Sequence, residues 1–307
     1  MSYVKQINIQ SLWGNDTENY VWVLQPDVNI LVGINGSGKS SFLNIINCID
    51  SYNDSKSDDS IFRLGTTAEI GVWDSIEGEV WYVAYYDKMP NFRMTTSIAT
   101  HIMLHNINVV KPHYNIQFIN LLDLDIPLKE SVEYAGQKVK KVVDIQLYEL
   151  ISKFYSYQSH ISIQMVTIYR ENGVNKDEKA TALYANIALF EKLVNELFSE
   201  TNKKIVLQKG FYFSKNGKRI EPISLSSGEK HLLILFLTVL LQEQKNAILL
   251  LDEPEISLHY SWQQKLIEYL RELNPNCQLI IATHSGSIFI EGWADKVQHI
   301  QNLKLQS

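Results

Sequence analysis

The sequence of 307 residues has few cysteines and no long apolar run. Its two cysteines, Cys48 and Cys277, stand far apart outside any C-x-x-C pair, which argues against a disulfide framework or a thiolate zinc site. The longest apolar stretch, 232–241, is about half of the roughly 20 residues that a membrane-spanning helix needs. The opening residues alternate polar and apolar side chains and show no secretion signal. We therefore expect a cytoplasmic protein with no membrane partner.

The chain is also short of positive charge. It has 28 Lys and Arg against 34 Asp and Glu, a formal net charge of −6. A broadly cationic sleeve for nucleic acid is disfavoured, although a local basic patch stays open. Apolar residues at 45% and charged residues at 20% are ordinary for a globular protein, so disorder and fibrous designs are excluded.

Periodicity predicts an α/β fold. The predicted strands lie at 3–9, 20–24, 28–33, 67–74, 79–86, 205–213, 219–223, 247–251 and 278–282, and the clearest helices at 178–199, 229–243 and 260–272. Asn216-Gly217 is a hairpin signal between two of the strands. Residues 94–200 are mixed and largely helical, and we interpret them as an insert within a single domain, 1–307.

A glycine-rich loop joins the third predicted strand to a helix. Residues 33–40, GINGSGKS, match G-x-x-x-x-G-K-[ST] in the strand-to-helix context that this motif needs. Backbone N–H groups of such a loop point at phosphate oxygens, Lys39 would neutralise the β- and γ-phosphates, and Ser40 would hold Mg²⁺. A chance glycine-rich turn is a poor alternative in this context. The candidate nucleotide-binding residues are Gly33, Asn35, Gly36, Ser37, Gly38, Lys39, Ser40 and Ser41.

A second candidate element is an apolar strand that ends in two acids, Asp252 and Glu253. The carboxyl ends of buried strands are where open α/β sheets bind ligands. Asp252 would hold the Mg²⁺ shell, and Glu253 would polarise an attacking water. The alternative is a strand that ends in a solvated acidic turn. We disfavour it because the same sequence also contains the glycine-rich loop.

Three further segments carry a resemblance to a known family. The sequence LSSGE, 225–229, stands before a long apolar helix; DEPEISLH, 252–259, continues the acidic strand; and Thr283-His284-Ser285 follows the next strand. These segments resemble the signature motif, the D-loop and the H-loop of ABC-type ATPases. The details are similar to the RecF/SMC/OLD-like branch, and to ATPases of Septu-, retron- and PARIS-type anti-phage defence operons. The resemblance does not cover the insert.

The resemblance implies a fold and a mechanism. The fold is an ABC-type ATPase head, in which a P-loop core sheet has an antiparallel side sheet and here carries a mostly helical insert. ATP and Mg²⁺ are the implied cofactors, and two chains would pair head to tail around ATP. The implied capping residues of the second chain are Ser226, Ser227, Gly228 and Glu229. His284 would sense the γ-phosphate, and Gln117 is the candidate Q-loop ligand of Mg²⁺.

Three functions stay open from the sequence. The chain could be a sensor or regulatory scaffold that holds a separate effector, such as a nuclease or toxin, in anti-phage defence, because no nuclease or toxin motif is visible in it. It could instead be a RecF-like clamp that binds DNA directly. The third hypothesis is an ATP-dependent assembly platform in which hydrolysis is incidental.

Some residue groups have plainer explanations than a site. These are the helical pair His101 and His105, the acidic pair Asp123 and Asp125, the basic run Lys138, Lys140 and Lys141, and the aromatic residues Trp13 and Tyr20. The histidines lack the glutamate of a metalloprotease motif, and the acids lack room for a nuclease domain. We interpret the lysines as a solvated face and the aromatics as core residues.

Overall fold

A computed structural model of the protein describes residues 2–10, 19–51, 67–74, 78–85, 96–98, 115–120, 132–134, 137–139, 141–170 and 175–305. The strands in these ranges are β1 (Tyr3–Gln10), β2 (Tyr20–Val23), β3 (Val28–Val32), β4 (Thr67–Asp74), β5 (Gly78–Tyr85), β6 (Thr96–Ile98), β7 (Ile116–Asn120), β8 (Val132–Tyr134), β9 (Gln137–Val139), β10 (Lys204–Val206), β11 (Tyr212–Lys215), β12 (Lys218–Ile220), β13 (Ala247–Asp252), β14 (Cys277–Thr283) and β15 (Val297–His299). The helices are α1 (Lys39–Ser51), α2 (Val142–Arg170), α3 (Lys176–Phe198), α4 (Ser227–Leu240) and α5 (Tyr260–Leu273).

The chain divides into two compact units. The first, here called the sheet unit, contains Met1–Asn120, Asn246–Pro254 and Asn276–Ser307. The second, here called the helical unit, contains Leu121–Lys245 and Glu255–Pro275. No helix among the described residues has the length and apolarity that crossing a bilayer requires.

The sheet unit is built on a five-stranded parallel sheet with the order β15-β3-β14-β13-β7. Its central strand β14 is buried at every residue, which explains the continuous apolar run LIIA, 279–282, in the sequence. In register, Thr283 pairs with Val32 and Asp252 pairs with Ala282. The carboxyl ends of β3, β13 and β14 therefore lie at one edge of the sheet, where the glycine-rich loop, the acidic pair and the Thr283-His284 segment begin.

An antiparallel sheet with the order β2-β1-β4-β5-β6 completes the sheet unit. Gln278 joins β14 to β1 because its buried side-chain amide exchanges two hydrogen bonds of 2.8 Å with the backbone of Val4. Helix α1 packs through Phe42, whose ring meets Tyr20 and Trp22 edge to face at 5.7 and 6.2 Å between ring centroids. Tyr20 is thus a core residue, as the sequence suggested.

The helical unit surrounds α4, whose residues from Gly228 to Leu240 are all buried. A helix that is apolar on all sides belongs inside a protein, which agrees with the run LLILFLTVLL. Helices α2 and α3 follow each other in the chain as a long helical hairpin, and β10, β11 and β12 form an antiparallel sheet. The ring of Phe198 in α3 stacks on Phe213 and on Trp262, at centroid distances of 4.9 and 5.8 Å.

The predicted fold class is confirmed, with differences in detail. Strand β7 falls inside the predicted insert but pairs with β13 in the parallel sheet, so the long helices of the insert come only after it. The predicted strand 205–213 is divided into β10 and β11, with Gly210 between them at φ 120°, a backbone conformation outside any strand. The hairpin at Asn216-Gly217 is present, and both residues have positive φ.

Candidate functional site

The glycine-rich loop connects β3 to α1 at the carboxyl edge of the parallel sheet. Gly36 and Gly38 have φ angles of 79° and 99°, which only glycine adopts without strain, so the loop turns tightly before α1 begins at Lys39. The Lys39 side chain is only 5% exposed. Its Nζ donates hydrogen bonds of 2.9 and 3.3 Å to the carbonyl oxygens of Gly33 and Ile34. The ammonium group is therefore already held at the mouth of the loop.

Asp252 is the last residue of β13 and lies beside Ser40 of α1. Burial raises the pKa of the Asp252 carboxyl above its ordinary value, and the charge of Glu253 adds to this, while a hydrogen bond from Ser40 acts in the opposite direction. Its Oδ1 atom is buried and has no hydrogen-bond partner among the described residues. A buried carboxylate oxygen without a partner, next to a serine hydroxyl, fits the oxygen donors that Mg²⁺ prefers.

Glu253 links the loop lysine to His284. Its backbone has φ 47°, uncommon for a residue other than glycine, and its N–H donates to the carbonyl of Ala282 at 2.8 Å. Its Oε2 atom accepts hydrogen bonds from the backbone N–H and the ring Nδ1 of His284 at 3.2 and 2.5 Å, and its Oε1 atom is 3.4 Å from Nζ of Lys39.

This end of the sheet unit brings four predicted residues together: Lys39, Asp252, Glu253 and His284. It offers one buried cation, two carboxylates in different environments and a histidine ring that is half exposed. Beside the loop lies a cavity of 570 Å³, lined by Val32, Gly33, Ile34, Asn35, His284, His299 and Gln301. A cavity of this size admits a small-molecule ligand. Chemically, the arrangement can hold a phosphate and a divalent cation and can orient a water molecule.

The signature segment in the helical unit forms the start of α4. Ser226 is the N-cap residue, and its hydroxyl accepts a hydrogen bond from the backbone N–H of Glu229 at 3.4 Å. The Glu229 carboxylate in turn accepts from the backbone N–H of Ser226 at 2.9 Å, which completes a capping box. Burial opposes ionisation of Glu229, yet hydrogen bonds from Lys203, Ser226 and Thr201 lower its pKa below the ordinary value. Glu229 is therefore anionic at neutral pH.

Gly228 fits its position because another segment of the helical unit touches it. A Cβ atom at this residue would overlap the carbonyl oxygen of Ser257, and Ser257 itself has φ 67°. The next turn of α4 contacts the same segment, since His231 Nδ1 is 3.3 Å from the carbonyl oxygen of Ile256. The signature segment and the D-loop segment are thus packed against each other within one unit.

The remaining candidates fall in different places. Gln117 lies within β7 in register with Leu249, whereas Asn120 pairs with Asp252 at the sheet edge. Gln117 is thus three residues from that edge, and its role as a ligand of Mg²⁺ stays a prediction. Lys141 precedes α2, and Lys138 lies in β9. Residues Trp13, His101, His105, Asp123, Asp125 and Lys140 lie outside the described residues.

Sequence reasoning missed two buried ion pairs near the signature segment. Lys203 Nζ lies 2.6 Å from Oε1 of Glu229, and Lys230 Nζ lies 2.7 Å from Oδ1 of Asp144. The partners are separated by 26 and 86 residues in the chain. The signal available in the sequence was Lys230, which stands next to the signature segment in an apolar helix. A charged residue needs a partner when it is buried.

Two retron ATPases are similar to parts of this chain. The chain is 25% identical over 168 residues to "Retron Vc95 probable ATPase" of Vibrio cholerae serotype O1 biovar El Tor, a match that covers 50% of this chain and 33% of that protein. It is 36% identical over 85 residues to "Retron Ec83 probable ATPase" of Escherichia coli, which covers 24% and 16%. The matches thus span a third or less of these relatives' length.

Among solved structures, the fold is similar to the Smc head domain with an extended coiled coil, bound to the C-terminal domain of ScpA, from Pyrococcus furiosus. The TM-score is 0.52 at 14% sequence identity, with 100% of this chain and 97% of that chain covered. At this identity the likeness shows the fold alone.

The fold is similar to that of an Smc head, and the sequence motifs are those of ABC-type ATPases. A family model described as "AAA domain, putative AbiEii toxin, Type IV TA system" matches residues 118–291, more than half of the chain. The protein belongs to this family. The resemblance found in the sequence motifs is thereby confirmed, and two proteins named as retron ATPases are among those similar to this chain.

Proposed function

We propose that this chain binds and hydrolyses ATP and that it works as an ATP-dependent sensor or regulatory scaffold for a separate effector in anti-phage defence. The observation that carries the proposal is the meeting of Lys39, Asp252, Glu253 and His284 at one sheet edge. The family and the names of the two retron relatives support the ATPase activity and the defence context.

Each residue has a distinct part in this proposal. Lys39 binds the β- and γ-phosphates after it exchanges the carbonyl oxygens of Gly33 and Ile34 for phosphate oxygens. Ser40 and Asp252 would hold Mg²⁺, which when bound neutralises charge that develops on the phosphates. The phosphates draw Lys39 away from Glu253, and this leaves the Glu253 carboxylate as the base that orients and deprotonates water.

His284 keeps Glu253 in place for this step. The ring Nδ1 donates to Oε2 of Glu253, so a hydrogen bond from the other ring nitrogen, Nε2, to the γ-phosphate requires the imidazolium form, in which both nitrogens carry a proton. The tight turn at Glu253 fixes the backbone from which the carboxylate extends. The histidine therefore couples the presence of the γ-phosphate to the position of the base.

The dimer and the effector form the second part of the proposal. The N-terminal turn of α4, in which Ser226 is exposed, Ser227 is partly exposed and Gly228 is buried, would cap the nucleotide of a second copy through these three residues. A helix N-terminus attracts anions because its N–H groups and its dipole point outward. Binding of the γ-phosphate would close the dimer and hydrolysis would open it, which would hold or release an effector protein.

One experiment tests the two parts separately. The protein is purified with its native neighbouring genes, and co-eluting proteins are identified with and without ATP, alongside phosphate release by the isolated chain. Phosphate release that disappears in Lys39→Met supports the ATPase assignment, and a stoichiometric nuclease or toxin supports the scaffold. A chain that emerges alone at every ATP concentration contradicts the scaffold.

A second candidate function, direct DNA binding, is favoured by one surface. Residues 202–220 carry six basic residues and no acidic one, in a chain of net charge −6. Lys204, Lys209, Lys215 and Lys218 are exposed, and none forms an ion pair with another residue that the structure describes. Arg219 lies over the ring of Tyr212 at 4.3 Å. Clustered lysines beside aromatic rings fit a nucleic-acid backbone.

Salt dependence separates this candidate from the first. Replacing these four lysines by glutamine should weaken duplex binding and lower the slope of log K against log salt by up to about 4, because each lysine would neutralise one phosphate. A control variant with the same charge change replaces Lys153, Lys179, Lys245 and Lys265, which are also exposed. Equal effects of the two variants would show attraction by net charge alone and remove the candidate.

A substitution of Glu253 distinguishes the third hypothesis, the ATP-dependent assembly platform, from a cycling ATPase. A Glu253→Gln variant keeps nucleotide bound without turnover. A platform should retain its activity in the cell with this variant, whereas a cycling ATPase should stop.

A further inference from the structure

The Glu229 carboxylate at the start of α4 is surrounded by donors. Lys203 Nζ donates to both of its oxygens at 2.6 and 2.7 Å, and Thr201 Oγ1 donates to Oε1 at 2.9 Å. Oε2 also accepts from the backbone N–H and the hydroxyl of Ser226, at 2.9 and 3.0 Å. The Glu229 side chain is 1% exposed and that of Lys203 is 14% exposed. Glu229 and Lys203 thus form a buried ion pair, and the carboxylate of this pair is hydrogen-bonded to Ser226.

The Ser226 hydroxyl has a single hydrogen, and that hydrogen points at Glu229. A carboxylate and a phosphate are both acceptors only, so the same hydrogen cannot bind strongly to Glu229 and to a γ-phosphate at once. Capping of a nucleotide by Ser226 therefore competes with Glu229. The strength of this competition depends on how far the negative charge of Glu229 is compensated.

We propose that Lys203 is a positioning residue for the signature motif: by compensating the buried charge of Glu229, it permits Ser226 to transfer its hydrogen bond to the γ-phosphate of a nucleotide held by a second copy. The inference rests on the ATP-dependent dimer of the proposed function. Without Lys203, the Glu229 anion would retain the Ser226 hydroxyl and would add an uncompensated negative charge next to an incoming phosphate.

Lys203 also connects the signature to the helical hairpin. It lies two residues after the turn Ser199–Thr201 that follows α3, and Thr201 in that turn donates a hydrogen bond to the same carboxylate. Lys230, the next residue of α4, pairs with Asp144 in the first turn of α2. The turn after α3 and the first turn of α2 therefore contact consecutive residues of α4, Glu229 and Lys230. Because the Asp144 pair remains, a change at Lys203 leaves the first turn of α4 with one of its anchors.

The test measures ATP-dependent dimerisation by sedimentation, in a Glu253→Gln background that keeps ATP bound. Lys203→Met should weaken the dimer at least tenfold, while ATP affinity, measured at concentrations where the chain is monomeric, stays within twofold. Lys203→Arg should recover the dimer, because the guanidinium also compensates Glu229. If the methionine variant does not fold, Lys203→Gln serves instead, since it keeps a donor but removes the charge.

A double variant separates positioning from a structural role. Lys203→Met with Glu229→Gln removes both charges, and glutamine can still complete the capping box, so most of the dimer affinity should return. Because removal of both charges would also relieve a merely stabilising ion pair, urea unfolding of each variant is measured alongside. A dimer that weakens only in proportion to a lower free energy of unfolding shows a structural role and overturns the inference. Lys192→Met is the matched control, because the ion pairs of Lys192 with Glu196 and Glu272 are exposed, and this change should leave the dimer unchanged.

The outcomes are distinct. A dimer that is unaffected by Lys203→Met, or a double variant as weak as the single one, overturns the inference while the proposed function stands. If the Glu253→Gln protein itself stays monomeric at saturating ATP, the proposed dimer is wrong and the inference falls with it. Weakening by methionine with recovery by arginine and by the double variant supports it.

Discussion

The acidic residues at the carboxyl edge of the parallel sheet and in the first turn of α4 differ in pKa and in how many hydrogen bonds they accept. At the sheet edge, Asp252 has a raised pKa and a buried oxygen without a partner among the described residues, and Glu253 stands in a left-handed conformation. In the first turn of α4, the Glu229 carboxylate accepts five hydrogen bonds and has a lowered pKa. One region is incomplete without a ligand, and the other is already complete within its own chain.

This difference indicates which region serves nucleotide chemistry and which serves stability. Unsatisfied groups and strained backbone are kept where a ligand supplies the missing interactions. A satisfied buried network holds one arrangement and resists a second one. We therefore expect changes at the sheet edge to affect nucleotide chemistry more than stability, and changes at the turn of α4 to affect stability or the dimer more than ATP binding.

The largest effect is expected at Glu253. Glu253→Gln removes the base, so kcat for ATP hydrolysis should fall about 10²- to 10⁴-fold. ATP affinity should stay within threefold, because Lys39 and Asp252 remain. Phosphate release and calorimetric titration of ATP measure the two quantities. A variant with undiminished kcat would show that another group activates water.

The next effect concerns stability of the helical unit. Asp144→Ala leaves the buried ammonium of Lys230 without its partner, which should lower the free energy of unfolding by about 3–5 kcal/mol. Urea unfolding measures this. Glu272→Ala removes an exposed partner of Lys192 and should cost less than about 1 kcal/mol. Equal losses would contradict the burial of the Asp144 pair.

Lys39→Met tests the sheet edge as a phosphate site. Removal of a charged hydrogen-bond donor to phosphate should weaken ATP binding by about 3 kcal/mol, roughly 100-fold. Titration calorimetry checks this, with Lys153→Met as an exposed control. Unchanged affinity would place the phosphates away from this loop.

The smallest effect is a stability change with pH at Asp252. Since its pKa is higher in the folded chain than the ordinary 3.8, its contribution to stability is full below that value and is lost as pH rises through the folded pKa. At neutral pH the ionised carboxylate therefore destabilises the ATP-free protein. Asp252→Asn should raise the Tm at neutral pH, and the gain should shrink as pH falls. A lower Tm at neutral pH would contradict the burial of this charge.

Local patterns predicted the elements whose signals lie within a few residues. The loop from Gly33 to Ser40, the acidic end of β13 and the turn at Asn216-Gly217 each depend on neighbouring residues, and all three are present. Helix α4 was predicted over 229–243 but begins at Ser227 and ends at Leu240. The capping box of Ser226 explains its start, and the positive φ angles of Glu243 and Gln244 follow its end.

The sequence does not indicate which residues distant in the chain form pairs. Nothing near Lys203 or Asp144 indicates that they meet Glu229 and Lys230, because the partners are brought together by the packing of α2 and α3 on α4. The place of β7 beside β13 is a similar case, since a five-residue strand inside a mixed region has no local sign of its neighbour. The sheet-edge residues were predictable because parallel strands end together.

The packing of Gly228 on Ser257 has a consequence for genetics. Every other amino acid at residue 228 would collide with the backbone of the same chain before any nucleotide or second copy is present. A null phenotype from a Gly228 substitution therefore reports a misplaced backbone as readily as a defect in pairing between two copies. Screens that score this glycine cannot separate the two causes, whereas alleles of Ser226 that keep a capping oxygen leave the start of α4 capped and are the better probe of pairing.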